Sequence, residues 1–272
     1  MQSARRYIIG SIFAILLVVG TSTSSAQQFF AGEELYYRAA YFAKLVPNTE
    51  VGEVTVVTKV ETFEGKEVYR VTGNGRTLPF FRWFFDMNDT YNIWVDRETL
   101  QTQRFESDLK EDDYTFKSHY RYDWGSKRVY TWSQRRNDQP KERVMELTPK
   151  SMDAVSLYFN LRSVNLDSFR ESKELTLDMV LEDTIRQLRY RYIAHEQIKV
   201  PKMGVFNTLK FACTIGTSEE FSFTDGSEFF IWITNDENKI PVMVMSPVRI
   251  GSIRLYLRGY KGLHYPLTSK IK

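Results

Sequence analysis

The fold is decided by the stretch Tyr114-Thr115-Phe116-Lys117-Ser118-His119-Tyr120-Arg121-Tyr122. Its aromatic side chains fall on one face, and its basic and imidazole side chains fall on the other. This period-two alternation is typical of a β-strand with one face in the core and one face in water. The chain is therefore expected to be mainly β.

Further runs share this alternation and are rich in the β-branched and aromatic residues that pack well on a pleated sheet. These runs are Leu35–Phe42, Glu53–Val60, Val68–Gly73, Tyr91–Val95, Thr102–Ser107, Arg128–Ser133, Leu175–Val180, Leu188–Ala194, Leu209–Ile215, Phe229–Ile233, Val242–Met245 and Ser252–Tyr260. Short turns such as Glu64-Gly65-Lys66 and Thr224-Asp225-Gly226-Ser227 separate them. Short connections favour antiparallel pairing, because parallel strands need long crossover segments. The pattern predicts a curved antiparallel sheet that forms an open barrel or a two-sheet sandwich.

One segment departs from this pattern. Between residues 151 and 163, Val155, Tyr158, Phe159 and Arg162 fall at helical spacing, and Ser151 or Asp153 supplies a capping side chain. We expect one short amphipathic helix there, plugging or covering the sheet. It divides the chain into two β halves.

Composition limits the class of partner. The 272 residues carry 37 Lys+Arg and 34 Asp+Glu, so the formal net charge is +3. A near-neutral chain has no field that would gather nucleic acid, so a nucleic-acid partner is not expected. The apolar fraction of 42% and the charged fraction of 26% are typical of a folded globular domain.

The first 26 residues have the pattern of an export signal. Arg5-Arg6 precedes an apolar run at Tyr7–Val19, and small residues lead to a cleavage site after Ala26. That run is shorter than the ~20 residues that span a bilayer. Residues 27–272 are therefore expected to form a single exported β domain without a transmembrane span. Cys213 is the only cysteine, so no internal disulfide is possible.

Motifs that carry chemistry are absent from the sequence. It has no H-E-x-x-H, G-x-S-x-G or phosphate-binding glycine loop, and it predicts no catalytic residue, no metal site and no cofactor. A non-enzymatic role is favoured. Two alternatives stay open: a glycan-directed hydrolase that uses Asp86, Asp89 or Asp153, and an assembly or scaffold protein.

The run Leu78-Pro79-Phe80-Phe81-Arg82-Trp83-Phe84-Phe85 is more apolar than alternation requires. Such a run is a buried sheet corner, an exposed apolar patch or the wall of a cavity. As a wall it would bind an apolar molecule such as a lipid or glycolipid, or an outer-membrane partner, on an aromatic-lined β surface. The ligand-binding residues would then be Phe80, Phe81, Trp83, Phe84, Trp94 and Tyr91.

Several short sequence segments, taken in their order along the chain, resemble a known family. They are Gly32-Glu33-Glu34-Leu35-Tyr36-Tyr37, Phe81-Arg82-Trp83-Phe84-Phe85, Asp153-Ala154-Val155-Ser156-Leu157-Tyr158-Phe159 and Trp232-Ile233-Thr234-Asn235-Asp236. In this order they are similar to the exported DUF3108 family of Gram-negative, Bacteroidetes-type bacteria, over nearly all of residues 27–272. The resemblance implies a mainly antiparallel β fold in the periplasm or elsewhere in the cell envelope. It carries over no catalytic residue, because the family has no assigned function.

Overall fold

The computed structural model describes residues 30–44, 46–153, 155–163, 174–216, 228–248 and 250–271. The predicted signal peptide, residues 1–26, lies outside the described residues. So does the predicted turn at 224–227. The fold below concerns the described part of the chain.

Strands dominate the described residues. In chain order the elements are β1 (Glu34–Ala43), β2 (Val46–Phe63), β3 (Lys66–Thr77), a 3₁₀ helix (Pro79–Phe81), β4 (Asn88–Asp96), β5 (Thr102–Glu111), β6 (Tyr114–Asp123), β7 (Arg128–Arg135), β8 (Lys141–Glu146), β9 (Ser151–Met152), the α-helix α1 (Leu157–Arg162), β10 (Leu175–Leu181), β11 (Thr184–Val200), β12 (Gly204–Ile215), β13 (Phe229–Thr234), β14 (Pro241–Pro247) and β15 (Ser252–Lys261). No helix among the described residues is long and apolar enough to cross a membrane.

All the strands belong to one 15-stranded sheet, in the order β8-β7-β6-β5-β4-β3-β2-β1-β15-β14-β13-β12-β11-β10-β9. Neighbours pair antiparallel, except that β9 and β10 are parallel. The two edge strands, β8 and β9, are consecutive in the chain, so the sheet comes round on itself. They do not pair with each other within the described residues, so the sheet stays open. The antiparallel, open-barrel prediction is confirmed, and the two-sheet alternative is wrong because there is one sheet.

Side-chain contacts bridge the gap between the two edges. The hydroxyl of Tyr120 on β6 accepts a hydrogen bond from the backbone N–H of Glu182, in the β10–β11 turn (2.7 Å). Arg135 lies 3.3 Å from Glu182, and Lys141 lies 3.9 Å from Asp183. Since inward side chains from both halves also form one core cluster, the sheet must curve around a shared interior.

Strand β6 has the alternation of buried and exposed side chains that the sequence predicts for residues 114–122. Tyr120 and Tyr122 are buried, whereas His119 and Arg121 point to solvent. The same inward and outward faces continue onto the neighbouring strands, because directly paired residues share a face. The inner face therefore builds the core, and the outer face is polar.

The predicted helix is shorter than expected. Residues 151–152 form β9, and α1 covers Leu157–Arg162. Between them, the Asp153 carboxylate accepts the backbone N–H groups of Val155 (2.7 Å) and Ser156 (2.9 Å), as expected of a capping residue. The described side chains of α1 are buried, so of the two expected placements this helix plugs the interior of the sheet.

Candidate functional site

The aromatic run of the sequence forms the connection between β3 and β4, which we call the aromatic loop (residues 78–87). Pro79 opens its 3₁₀ helix, where the fixed backbone angle of proline suits the first position. The N–H groups of Phe84 and Phe85 then bond back to the carbonyl of Phe81, at 3.0 and 3.1 Å. These bonds keep the turn tight and direct its side chains away from the sheet.

Three rings of the aromatic loop are exposed to solvent. Phe80 is 76% exposed, Trp83 81% and Phe84 70%. They contact one another or Phe81: the centroids of Phe80 and Phe81 are 5.0 Å apart, and those of Trp83 and Phe84 are 5.9 Å apart. The run is therefore an exposed apolar patch and not a buried corner.

Backbone hydrogen bonds fix the base of the aromatic loop. Leu78 N–H bonds to the carbonyl of Val51 (2.9 Å), and Thr77 N–H bonds to that of Met87 (2.9 Å). Asp86 and Asp112 exchange two bonds, from Asp112 N–H to the Asp86 carbonyl (2.7 Å) and from Asp86 N–H to the Asp112 carboxylate (2.8 Å). The exposed rings thus stand on an anchored support.

A second exposed apolar side chain lies at the same end of the sheet. β1, β3 and β14 run in the same direction, because β2 separates β1 from β3 and β15 separates β1 from β14, each by antiparallel pairing. Ile250, in the β14–β15 connection, is 71% exposed, and its carbonyl accepts the Tyr41 hydroxyl (2.7 Å). We call this end, with the aromatic loop and Ile250, the loop end.

The exposure at the loop end is concentrated. In the described part of the chain, the four large hydrophobic side chains exposed by 70% or more are Phe80, Trp83, Phe84 and Ile250. The remaining exposed large hydrophobic side chains lie between 36% and 57%. Scattered single apolar residues are ordinary on a protein surface, whereas a concentration at one end indicates a contact surface.

Two buried carboxyl groups lie beneath the aromatic loop. Asp89 is fully buried, and one of its oxygens accepts Lys110 N–H (3.0 Å) while the other has no partner among the described residues. Glu111 is 2% exposed, and its backbone forms an isolated antiparallel β-bridge with that of Met87. Burial raises the pKa of Asp89 to about 7 and that of Glu111 to about 8, and their mutual repulsion raises the Glu111 value further.

The structure does not bring the six sequence-predicted ligand residues into one wall. Phe80, Phe81, Trp83 and Phe84 lie in the aromatic loop. Tyr91 faces the interior, where its ring lies 6.1 Å from that of Phe105. Trp94 lies on the outer face, with the Arg70 guanidinium 5.0 Å from its ring centroid. Ligand binding by these residues stays a prediction.

The three carboxyl groups considered for hydrolysis lie in different environments. Asp86 is exposed and lies 3.6 Å from Arg82. Asp89 and Asp153 are fully buried, and Asp153 accepts hydrogen bonds from the Thr102 and Ser156 hydroxyls. Because two of the three have no access to solvent, they do not line a common open cleft.

A buried polar network that the sequence did not reveal lies at the opposite end, around α1. Arg162 donates to the Glu33 carboxylate (2.8 Å) and to the Asn238 carbonyl (2.7 Å), and the Tyr158 hydroxyl also bonds to Glu33. Arg162 and Glu33 are each 1% exposed. We call this the helix end. The pairing depends on contacts between residues more than a hundred positions apart, so no local pattern signals it.

Comparisons with known proteins agree with this architecture. A solved structure described as a beta-barrel-like protein of the domain of unknown function DUF1849, from Brucella abortus, is similar, with a TM-score of 0.53. The alignment covers 85% of this chain and 97% of that chain at 9% sequence identity, so the likeness concerns the fold alone. No curated protein matches the chain significantly. Residues 34–258 match the family described as "Protein of unknown function (DUF3108)". The chain therefore belongs to the DUF3108 family.

Proposed function

We propose that the protein is an exported, non-enzymatic protein of the cell envelope that contacts lipid through its loop end. The observation that carries the proposal is the concentration of Phe80, Trp83, Phe84 and Ile250 at one end of the sheet. Export rests on the predicted leader at residues 1–26 and on the family resemblance. A lipid or glycolipid is the apolar ligand class that these side chains fit best.

The arrangement of the exposed side chains favours a lipid surface over a protein partner. The exposed rings lie on the connection between β3 and β4, and Ile250 lies on the connection between β14 and β15, with β2 and β1 between the two connections. A fluid surface accommodates separate protrusions, whereas a protein partner would need a matching pocket for each. Tryptophan and phenylalanine beside an arginine, as in Phe80–Phe84, are also typical of side chains at a membrane interface.

The expected affinity is modest. Fully burying one such side chain contributes about 1.5–3 kcal/mol, and insertion into the interface realises a part of it. For four side chains we expect on the order of 5 kcal/mol, which corresponds to a dissociation constant between about 0.1 and 1 mM. The contact would therefore be reversible, in contrast to that of a membrane-spanning segment.

Vesicle flotation tests the proposal. The purified exported protein is mixed with phosphatidylethanolamine–phosphatidylglycerol vesicles, and the floated fraction is measured over a lipid titration. We expect the wild type to float and the variant Trp83→Ala/Phe84→Ala to lose at least about tenfold in apparent affinity. Val60→Ser, which removes a 38%-exposed hydrophobic side chain from β2, is the control and should float like the wild type.

The alternatives have distinct outcomes in the same experiment. Equal flotation of the wild type and the double variant would contradict contact through the aromatic loop. Absence of flotation at every lipid concentration would contradict the lipid proposal itself. In that case, a stable complex of wild type but not of the double variant with an envelope protein would assign the loop end to a protein partner.

A further inference from the structure

A cavity of about 480 Å³ opens on the outer face of the sheet, over strands β5 to β8, and Phe63 and Glu64 at the end of β2 also line it. It is separate from the aromatic loop, which lies in the connection between β3 and β4. Its volume falls within the range of about 300–1,000 Å³ typical of small-molecule sites. The side chains that matter for its chemistry are Arg104, His119, Arg121, Tyr130, Trp132 and Glu142.

Strand register places these side chains in two adjacent rows. One row crosses the sheet as Arg104, Arg121 and Tyr130, each paired directly with the next. The second row, on the same face, crosses as His119, Trp132 and Glu142. Directly paired residues on one face lie about 4.5–5.5 Å apart at Cβ, so each row is a continuous strip of side chains.

Aromatic rings lie beside arginine side chains and beside the His119 ring on these rows. The Arg121 guanidinium lies 4.2 Å from the Tyr130 ring centroid, and the rings of His119 and Trp132 are 5.1 Å apart. Towards β4, the Arg104 guanidinium lies 5.6 Å from the centroid of Trp94. Stacking orients each guanidinium with its N–H groups at the edge, where they can donate hydrogen bonds to a ligand.

Among the arginines of the two rows, Arg121 forms no ion pair within the described residues. No carboxylate among the described residues lies within 4 Å of Arg121, which is exposed. Arg104, in contrast, pairs with Glu106 at 2.5 Å. Glu142, at the other side of the cavity, is exposed and can accept hydrogen bonds. The site thus offers a cationic position and a carboxylate position on either side of aromatic rings.

We propose that this cavity binds an acidic saccharide. The apolar face of a pyranose ring would stack on Trp132 or Tyr130, as apolar ligand surface does on aromatic walls. A sugar carboxylate would pair with the Arg121 guanidinium, for which bidentate geometry is favourable. The sugar hydroxyls would donate to Glu142. A phosphate-rich polymer fits less well, because Glu142 and Glu106 on the same strip would repel its successive charges.

Titration with defined sugars tests this inference. The probes are trigalacturonate, which carries carboxylates, and maltotriose, which is neutral. Binding is followed by calorimetry and by ligand-observed NMR at low and at high salt. We expect trigalacturonate to bind at least about tenfold more tightly than maltotriose at low salt, with a difference that shrinks as salt screens the Arg121 contact.

Two substitutions separate the stacking from the charge contact. Trp132→Ala should weaken both sugars by at least about tenfold, because it removes the stacking surface. Arg121→Gln should weaken trigalacturonate and leave maltotriose unchanged, because it removes the charge and keeps a polar side chain. Both residues lie at the surface of the outer face, so the fold is expected to persist, and circular dichroism checks it. Trp83→Ala, in the aromatic loop, is the matched tryptophan control and should bind both sugars as the wild type does.

Several results would overturn the inference. They are absence of binding of both sugars, equal binding of the acidic and the neutral sugar, or binding that Trp132→Ala and Arg121→Gln leave unchanged. Loss of sugar binding in Trp83→Ala would assign the sugar to the loop end and also contradict the site. Because flotation depends on Trp83 and sugar binding on Trp132, failure of either proposal leaves the other testable.

Discussion

The helix end and the loop end of the sheet differ in which side chains they bury. At the helix end, charged and polar groups are buried, and Glu33, Arg162 and Tyr158 satisfy one another inside the protein. At the loop end, large apolar side chains stand in water and pack mainly on their own neighbours. One end hides polar groups and the other exposes apolar ones.

The two ends should therefore contribute differently to folding stability and to binding. A buried ion pair is costly to break, because the remaining charge stays buried without a partner. An exposed ring contributes little to folding, because it is nearly as exposed in the folded chain as in the unfolded one. The helix end should therefore control stability, while the loop end should control binding and tolerate substitution.

The largest expected effect is at the helix end. Glu33→Ala leaves the Arg162 guanidinium buried without its carboxylate, and we expect the free energy of unfolding to fall by about 3–5 kcal/mol. At about 2–4 °C per kcal/mol, thermal unfolding should shift down by about 10 °C. Glu34→Ala is the neighbouring control; the Glu34 carboxylate is 35% exposed and pairs with the exposed Lys261, so its loss should lower stability far less than the loss of Glu33. Equal losses of stability in Glu33→Ala and Glu34→Ala would contradict the buried ion pair as the source of stability at the helix end.

The next effect is a pH dependence from the carboxyls beneath the aromatic loop. Because the pKa values of Asp89 and Glu111 are raised to about 7 and about 8, the folded protein keeps protons at pH 5 that the unfolded chain releases. Stability should therefore fall as the pH rises from about 4 to about 8, by on the order of 2 kcal/mol or more per group. Denaturant unfolding at a series of pH values measures this slope.

Asp89→Asn tests which group is responsible for the slope. Asparagine keeps an acceptor for Lys110 N–H but does not titrate, so the fall in stability between pH 5 and pH 8 should become smaller. Asp138→Asn, at an exposed position in the β7–β8 turn, is the control and should keep the wild-type slope. A slope unaffected by Asp89→Asn would show that this carboxyl is not perturbed.

A smaller effect is expected from the glycine that shapes the β14–β15 connection. Gly251 has φ +90°, and a Cβ at this position would lie 2.0 Å from the Phe42 carbonyl oxygen. Gly251→Ala should destabilise the protein by about 1–3 kcal/mol. Gly65→Ala separates backbone strain from steric collision, because Gly65 has φ +79° and an added Cβ would have nothing within 4 Å. Its loss of stability should therefore be smaller than that of Gly251→Ala. Equal costs, measured by denaturant unfolding, would mean that the collision with Phe42 is relieved.

The smallest effect on stability is expected at the aromatic loop itself. Phe84→Ala should change the free energy of unfolding by less than about 0.5 kcal/mol, because the ring is 70% exposed. Phe159→Ala, on α1, removes a fully buried ring and should cost about 3–5 kcal/mol. Comparable losses of unfolding free energy for Phe84→Ala and Phe159→Ala would contradict the expected difference in stability between the loop end and the helix end.

Alternation was sufficient to predict most strands, because one face of each is buried. It missed β8, in which five of the six side chains are exposed and four are charged, so that no periodicity marks it. Edge strands commonly carry such charges, which discourage pairing with other chains. The antiparallel arrangement also followed from the short turns, whereas the contacts of Tyr120 and Arg135 with Glu182 across the open gap did not.

The candidate sites were less predictable than the fold. An apolar run such as Leu78–Phe85 has the same sequence pattern in a buried corner and in an exposed loop. The aromatic loop is held in its exposed position by backbone contacts of its base with Val51 and Asp112. Ile250 joins the loop end through strand topology alone. The outer cavity depends on the register of neighbouring strands, which places Arg121 beside Tyr130 and His119 beside Trp132. Contacts of this range leave no local pattern.

Quenching by brominated phospholipids measures whether the loop end enters lipid. Bromine on the acyl chains quenches a tryptophan that lies among them, and the chain has five tryptophans. If the loop end enters lipid, bromine should quench the wild type, Trp83→Phe should abolish the quenching, and Trp124→Phe, in the turn between β6 and β7, should retain it. Quenching that persists in Trp83→Phe, or disappears in Trp124→Phe, would contradict entry of the loop end into lipid.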